Sequence, residues 1–199
     1  MNHECFTLID PKAPLEVDSR LLPDVLECLL HHILFHRALG GEVVPKDMVL
    51  LDDLFYVSCD DAQISKKVRD ASQSAADSLR KQERGGKVTL TFFDKVSGGM
   101  WGDKKVPWEE WSMHFVVRTE PSFGHREELL RRKELESRVK ELMWLILRII
   151  STRRDHLPKV DLGRQMVFDF EIKDPSKREG GVLDFLGKAV SVPRVQVPL

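Results

Sequence analysis

The chain has 199 residues, of which 42% are apolar and 32% are charged. This composition is typical of one soluble globular domain. Thirty-one basic residues against 32 acidic ones leave no net field to attract nucleic acid or an anionic membrane. The longest apolar run, residues 142–147, is far shorter than the ~20 residues that a stable membrane span needs. The amino-terminal residues do not resemble a signal peptide, and the three cysteines form no CxxC pair. We therefore expect free thiols and a cytoplasmic location.

The first elements are a short apolar strand and a strongly amphipathic helix. Residues 5–9 form the apolar opening, which ends at a turn signal, Asp10-Pro11. Asp18 or Ser19 is the predicted helix cap, with Pro23 in the first turn. The double glycine at 40–41 is expected to stop the helix. Its predicted buried stripe is Leu22, Val25, Leu26, Leu29, Ile33 and Leu34.

The middle of the chain alternates between strand and helix patterns. Residues 54–59 are predicted as a strand, and Asp60 or Asp61 as the cap of a weaker helix that ends before Gly85. Two further strands follow, at 87–95 and 108–119. The long glycine-containing connection between them indicates a hairpin with an extended tip.

The tryptophan-rich segment from 100 to 111 contains the sharpest local signals. From Trp111 onward, the two-residue period puts Trp111, Met113, Phe115 and Val117 on one core face of a strand. Trp101, beside Met100, lies instead among the glycines of the tip. It either anchors a partner or folds back onto its own domain, and the sequence leaves both possibilities open.

A long helix is predicted from Arg126 to Arg154. Its first half is charged, whereas residues 142–150 are apolar around nearly the whole circumference, which is typical of a helix that is buried on all sides or covered by another molecule. A half-buried strand follows at 166–173, and a short helix is possible at 182–190. The mixture of helices and strands lacks regular βαβ alternation, and it favours an α+β fold on a meandering antiparallel sheet.

Few residues suggest chemistry. No phosphate-binding loop, dinucleotide fingerprint or nucleophile elbow is present. His31, His32 and His36 are the best zinc candidate, but a third or fourth ligand in register is not evident, and packing at the core edge is the simpler interpretation. Adjacent carboxylates such as Glu109-Glu110 are expected in cap, turn and solvated-face roles. We therefore expect no catalytic residue, no metal, no cofactor and no enzymatic activity.

Three motifs resemble one family. Residues 30–40 (LHHILFHRALG) are similar to the signature helix of the autophagy-related protein 101 family. Residues 107–111 (PWEEW) resemble its Pro-Trp-Glu-x-Trp strand entry, and residues 155–159 (DHLPK) resemble its third motif. The three occur in the family's order with similar separations, and the likeness covers nearly the whole chain.

The resemblance implies a HORMA fold, in which three helices pack on an antiparallel sheet with a β-hairpin, here as one domain over residues 1–199. It also implies a non-enzymatic scaffold of the autophagy-initiation kinase complex, recruited to the preautophagosomal structure. The implied partner is the HORMA domain of autophagy-related protein 13. The family's exposed aromatic finger, which recruits downstream factors, places Trp101 at its second aromatic position and Gly99 at its first. Residues 174–199 are expected to form a short tail and not a full peptide-trapping seat belt.

Two other functions remain open. One is a peptide-clasping HORMA regulator of the checkpoint or chromosome-axis type, which an ordered seat belt would favour. The other is a small zinc enzyme, which would require bound metal and convergent carboxylates. For the leading interpretation, downstream factors are expected at Met100 and Trp101. The expected partner interface contains His31, His36, Arg148, His156, Leu157 and Pro158.

Overall fold

The computed structural model describes residues 3–38, 43–51, 53–82, 85–96, 104–118, 124–158 and 169–175. In chain order these form β1 (Glu4–Thr7), β2 (Leu15–Asp18), α1 (Leu22–His36), β3 (Pro45–Leu50), β4 (Leu54–Cys59), α2 (Ala62–Arg80), β5 (Gly86–Val96), β6 (Lys104–Arg118), α3 (His125–Thr152) and β7 (Asp169–Lys173). The α+β class is confirmed. The predicted helix at 182–190 and the hairpin tip lie outside the described residues.

The main sheet is built around the β5–β6 hairpin. Its strand order is β1-β6-β5-β7, and β2 also pairs with β6. β5, β6 and β7 pair antiparallel, as the sequence predicted, whereas β1 and β2 lie parallel to β6. A parallel pair needs a long connection between its two strands. Here α1, β3, β4, α2 and β5 lie in the chain between β2 and β6. Among the described residues, β3 and β4 form a second, two-stranded sheet.

The helix boundaries show which local signals determine them. Asp61 caps α2, since its carboxylate accepts the backbone N–H groups of Gln63 at 2.8 Å and Ile64 at 2.9 Å. The predicted cap of α1 is wrong, because the helix begins at Leu22 with no side-chain cap. The Asp18 carboxylate instead accepts the backbone N–H of Arg20, at 2.8 Å, in the preceding turn. α1 also ends at His36, before the double glycine.

The core lies between the helices and one face of the hairpin sheet. Trp111, Met113 and Phe115 are fully buried on β6, which confirms the predicted face. The inner face of α1 packs against β4, α2 and α3. Its predicted stripe is buried throughout. The core therefore holds the carboxyl-terminal end of α1 next to β6 and α3, and the site described next is built there.

Candidate partner-binding site

A buried carboxylate, Glu109, lies at the centre of the site. Between Phe92 and Phe93 of β5 the pairing register shifts, so that Glu109 pairs with Phe92 and Pro107 pairs with Phe93. Trp108 is thus an extra residue on β6, as in a β-bulge. Glu109 lies two residues before Trp111 and shares its core face, and both Trp108 and Glu109 are 0% exposed. The predicted solvated or turn role of Glu109 is therefore wrong.

Glu109 is neutralised by Arg37, at the carboxyl-terminal end of α1. Arg37 Nε donates to Glu109 Oε1 at 2.9 Å, and Nη2 lies 2.8 Å from Oε2. This two-pronged geometry is the strongest arrangement of a guanidinium and a carboxylate. Arg37 is only 1% exposed. A charge at such depth requires a partner, and the pair satisfies that requirement.

Two further groups complete the hydrogen bonding of the carboxylate. Trp111 Nε1 donates to Oε1 at 2.5 Å, and His156 Nε2 lies 2.6 Å from Oε2. An ionised carboxylate only accepts, so the proton in the second contact lies on His156 Nε2. Both oxygens of Glu109 therefore have two partners each, which is the condition under which a buried charged network is stable.

Arg37 also joins α1 to the end of α3. Its Nη1 lies 3.5 Å from the carbonyl oxygen of Ile150, and its Nη2 donates to that of Arg153 at 3.2 Å. The last carbonyls of a helix lack partners within the helix and carry partial negative charge, so a cation there is favourable. We call Arg37, Glu109, Trp111 and His156 the buried node. It connects α1, β6, α3 and the segment after α3.

Aromatic rings surround the buried node. Phe6 packs on Trp111 with ring centroids 4.9 Å apart, and Trp108 lies 6.0 Å from the ring of His156. Phe92 in turn packs on Trp108 at 5.1 Å. These rings keep water away, which strengthens the ion pair and raises the cost of leaving either charge alone.

The other histidines of α1 are not arranged as a metal centre. Burial lowers the pKa of His31 and of His32 to about 4, so both are neutral at physiological pH. His32 and His36 pack ring against ring at 4.6 Å. Within the described ranges, no three His, Cys, Asp or Glu residues are grouped so that they could hold a metal ion. The geometry thus corresponds to the packing role of these histidines.

The outer face of α3, the helix whose last carbonyls Arg37 binds, carries an exposed tryptophan. Trp144 is 72% exposed, and Arg148, one turn later, is also exposed. Leu142, Leu145, Ile146 and Ile149 are buried on the opposite side of the same helix. This chain alone therefore does not bury the helix on all sides, and covering of its outer face by another molecule stays a prediction. A tryptophan in water is costly, and aromatic and arginine side chains are enriched at protein interfaces.

The predicted site residues differ in how accessible they are. Arg148 is exposed, and His36 and Leu157 are half-buried. His31, His156 and Pro158 are buried. In this conformation they cannot contact a partner directly, and they can contribute to an interface only by packing beneath exposed residues. Met100 and Trp101 lie outside the described residues. Within the helices that the structure describes, none is long and apolar enough to cross a membrane.

The sequence reasoning missed Glu109, Arg37 and Trp144. Glu109 could have been found, since it has the same strand parity as Trp111. Arg37, Glu109 with Trp111, and His156 also belong to the three separate motifs of the sequence, residues 30–40, 107–111 and 155–159. Their convergence on one buried carboxylate supplies a physical reason for all three motifs.

Three helices on this mixed sheet, with the long β5–β6 hairpin, define a HORMA-fold protein. A chain in a crystal structure of the mitotic checkpoint complex has the same fold, with a TM-score of 0.50 and 17% identity over 90% of this chain and 81% of that chain. The identity of that pair is too low to carry anything beyond the fold.

The sequence matches are more specific. The family model described as autophagy-related protein 101 matches residues 14–162. Autophagy-related protein 101 of Arabidopsis thaliana is 30% identical over 186 residues, covering 83% of this chain and 86% of that protein. The protein of that name from Schizosaccharomyces pombe is 24% identical over 172 residues. The chain therefore belongs to the autophagy-related protein 101 family and is an autophagy protein with a HORMA fold.

Proposed function

We propose that the protein is a non-enzymatic adaptor of autophagy initiation that pairs with the HORMA domain of autophagy-related protein 13. In this proposal it acts in the cytoplasm as a subunit of the autophagy-initiation kinase complex and is recruited to the preautophagosomal structure. Family membership supports the process. The observation that supports pairing is the exposure of Trp144 on a helix whose other face is fully packed.

The proposed pairing surface is the outer face of α3 around Trp144 and Arg148. The buried node fixes this surface, because Arg37 binds the last carbonyls of α3 and Glu109 holds Arg37. A rigid aromatic anchor loses little conformational freedom on binding, which is a favourable property for a central contact. His36, His156, Leu157 and Pro158 lie at the same end of α3 or of α1, where they support this surface.

A second proposed activity is recruitment of downstream autophagy factors through Met100 and Trp101. The motivation is the sequence alone, namely an aromatic residue among glycines with a flexible methionine beside it. Trp101→Ala should leave melting and pairing unchanged while reducing recruitment of those factors in cells. Loss of melting temperature comparable to that of a core tryptophan variant would contradict this part of the proposal.

The alternative function is a peptide-clasping HORMA regulator. It requires a carboxyl-terminal seat belt, and residues 176–199 lie outside the described part of the chain. We propose a single domain over residues 1–199 with a short tail. Limited proteolysis of the paired and unpaired protein would separate the alternatives, since a seat belt closed over a peptide protects the tail and a free tail is cut first.

The pairing proposal can be tested with variants on α3. Trp144→Ala should weaken binding to the HORMA domain of autophagy-related protein 13 by about 2 kcal/mol or more, roughly 30-fold in Kd. Arg148→Asp should also weaken pairing more than folding. Leu130→Ala is the matched control, because Leu130 is 60% exposed on the same helix but lies in its charged first half.

Calorimetric titration measures the pairing, and chemical denaturation measures the folding of each variant. Normal pairing by Trp144→Ala would exclude this face from the interface. Equal losses for Trp144→Ala and Leu130→Ala would show that the interface is not centred where we propose. A variant that pairs normally but melts early would mean that its side chain acts in folding.

A further inference from the structure

One polar stripe of α2 holds β7 against the rest of the domain. Lys67, Ser74 and Ser78 are seven and four residues apart in the chain, so they lie on one face of the helix. The ammonium group of Lys67 donates to the carbonyl oxygen of Phe170 and lies 3.9 Å from the centre of its ring. It also lies 3.7 Å from the carboxylate of Asp169. The amino-terminal end of β7 is therefore fixed to α2 by a cation.

The carboxyl-terminal end of β7 is fixed to α2 by hydroxyl groups. Ser74 Oγ donates to Asp174 Oδ2 at 3.0 Å. Ser78 Oγ lies 3.4 Å from Asp174 Oδ1, but it lies closer, at 2.9 Å, to the carbonyl oxygen of Ser74. A hydroxyl group has only one proton to donate, so Ser74 is the stronger of the two hydroxyl donors to Asp174. We call the contact between Ser74 and Asp174 the serine clamp.

The carboxylate of the serine clamp is buried, whereas its hydroxyl donor is accessible. Asp174 is 5% exposed, and Ser74 is exposed. A buried carboxylate depends on its hydrogen bonds more than a solvated one does. Pro175 and then residues 176–199 follow Asp174 in the chain, so the serine clamp also fixes the point from which they start.

No basic residue lies one turn away from Ser74 on α2. The positions three and four residues before and after it are Asp70, Ala71, Asp77 and Ser78. Arg80, further along the helix, already binds Asp77 at 2.6 Å and the carbonyl oxygen of Ser19. A phosphate placed next to a carboxylate disrupts the contact by like-charge repulsion and by the cost of desolvation. On Ser74 it would meet Asp174 without a compensating cation on the neighbouring turns of α2.

From these observations we propose that Ser74 is a phosphorylation site, and that its phosphate releases the carboxyl-terminal end of β7 from α2. In the transfer step the Ser74 oxygen bonds to the terminal phosphorus of a nucleoside triphosphate, the nucleoside diphosphate leaves, and a protein kinase takes the hydroxyl proton. The kinase acts while the serine clamp is transiently open, because the proton otherwise lies toward Asp174. Phosphoserine has no hydroxyl proton to donate, so the serine clamp does not close again.

The charges around Ser74 also indicate the class of kinase. Asp70 and Asp77 flank the site, so they favour a kinase whose substrate groove is basic. The proposal is independent of pairing through α3, because it rests on α2 and β7 alone.

The test compares hydrogen exchange of the full chain with and without phosphoserine installed at position 74. The amides of β7 that pair with β5 should exchange at least about tenfold faster in the phosphorylated chain, since local opening determines their exchange. Phosphoserine at Ser65 is the matched control, because it places the same charge near the amino-terminal end of α2, where an anion is favoured. This control should leave the exchange of β7 unchanged.

Two substitutions separate repulsion from the loss of a hydrogen bond. Ser74→Ala removes the donor without adding charge, and it should speed the exchange of β7 less than phosphoserine does. Asp174→Asn in the phosphorylated chain should restore slow exchange, because the amide carries no charge and can donate to the phosphate. A purely structural role of Ser74 would not produce this rescue.

Several results would overturn the proposal. Unchanged exchange in the phosphorylated chain would do so, as would slower exchange, which would mean that Lys173 binds the phosphate and tightens the strand. An equal effect of phosphoserine at Ser65, or no rescue by Asp174→Asn, would show that the phosphate does not act through the serine clamp. In the chain purified from its own cells, phosphate in the tryptic segment 70–80 should lie on Ser74, and its absence there would reject the site.

Discussion

Replacement of Glu109 by Gln should strongly destabilise the protein, although the side chain keeps its shape. The amide carries no charge, so Arg37 would remain in the core, 1% exposed, without its counter-ion. Breaking a buried ion pair by removing one partner costs about 3–5 kcal/mol. The variant also replaces one acceptor oxygen by an NH2 group. At either position that group meets two donors from which it cannot accept, namely Arg37 with Trp111 at Oε1 or Arg37 with His156 at Oε2.

The expected loss can be measured by urea denaturation at neutral pH. For a chain of this size 3–5 kcal/mol corresponds to a fall in melting temperature of about 6–20 °C. Glu110→Gln is the matched control, because Glu110 is the next residue along β6 and its carboxylate lies on the opposite, half-buried face of the strand. That control should cost less than about 1 kcal/mol.

A second variant separates the ion pair from simple packing. Glu109→Gln combined with Arg37→Met removes both charges, and it should cost less than the sum of the two single substitutions. The reasoning would be refuted if Glu109→Gln were no worse than Glu110→Gln. It would also be refuted if the two single losses added without coupling.

The remaining predictions concern pH, capping and the tryptophans. The buried, neutral His31 and His32, whose pKa values are lowered to about 4, bind fewer protons than the unfolded chain, in which histidine titrates near ~6.5. Stability should therefore be lost as pH falls from about 6.5 toward 4, by up to about 3 kcal/mol per histidine, and His32→Leu should flatten the pH profile of unfolding. Asp61→Ala should cost about 1 kcal/mol through loss of the α2 cap, whereas Asp60→Ala should cost under about 0.5 kcal/mol in the same denaturation assay. Trp111→Ala should cost about 3–5 kcal/mol, whereas Trp101→Ala should leave the melting temperature unchanged, and equal melting of the two variants would contradict the tip assignment.

Local patterns were sufficient to predict most helices and strands. β4 was predicted with the observed limits because a short, mostly apolar run lies there between two pairs of aspartates. The Asp61 cap and the long α3 also depend on neighbours in sequence, so their signals are complete within one segment. β3 was missed because its sequence, PKDMVL, does not alternate regularly between polar and apolar residues. Its outer face carries Pro45, Asp47 and Val49, which are of three different kinds.

The buried node could not be read from local patterns. Glu109 meets Arg37 across 72 sequence positions and His156 across 47. Strand parity can therefore suggest that Glu109 faces the core, but no local pattern identifies its partners. The bulge at Trp108 shifts the register of β6 against β5, and a two-residue period does not reveal such an insertion. The family resemblance identified the three segments but not the contact that joins them.

The exposure of Trp144 was hidden for a related reason. Residues 142–150 contain eight apolar side chains and one arginine. Such a run predicts a helix that is buried on all sides or covered by another molecule, but it does not show which side chain stays outside. The structure packs α3 against α1, buries Leu142, Leu145, Ile146 and Ile149, and leaves Trp144 outside. Sequence periodicity shows how apolar a helix is, but it does not show how many of its faces the same chain can cover.

The most direct test of the proposed function is to mix the full chain with the HORMA domain of autophagy-related protein 13 and measure the mass of the product by size-exclusion chromatography with light scattering. The account predicts a one-to-one complex with the wild-type chain and a mixture of free proteins with Trp144→Ala combined with Arg148→Asp, although the double variant remains folded. Failure of the folded wild-type chain to form the complex would contradict the proposed pairing. An undiminished complex with the double variant would contradict the assignment of α3 as the pairing surface.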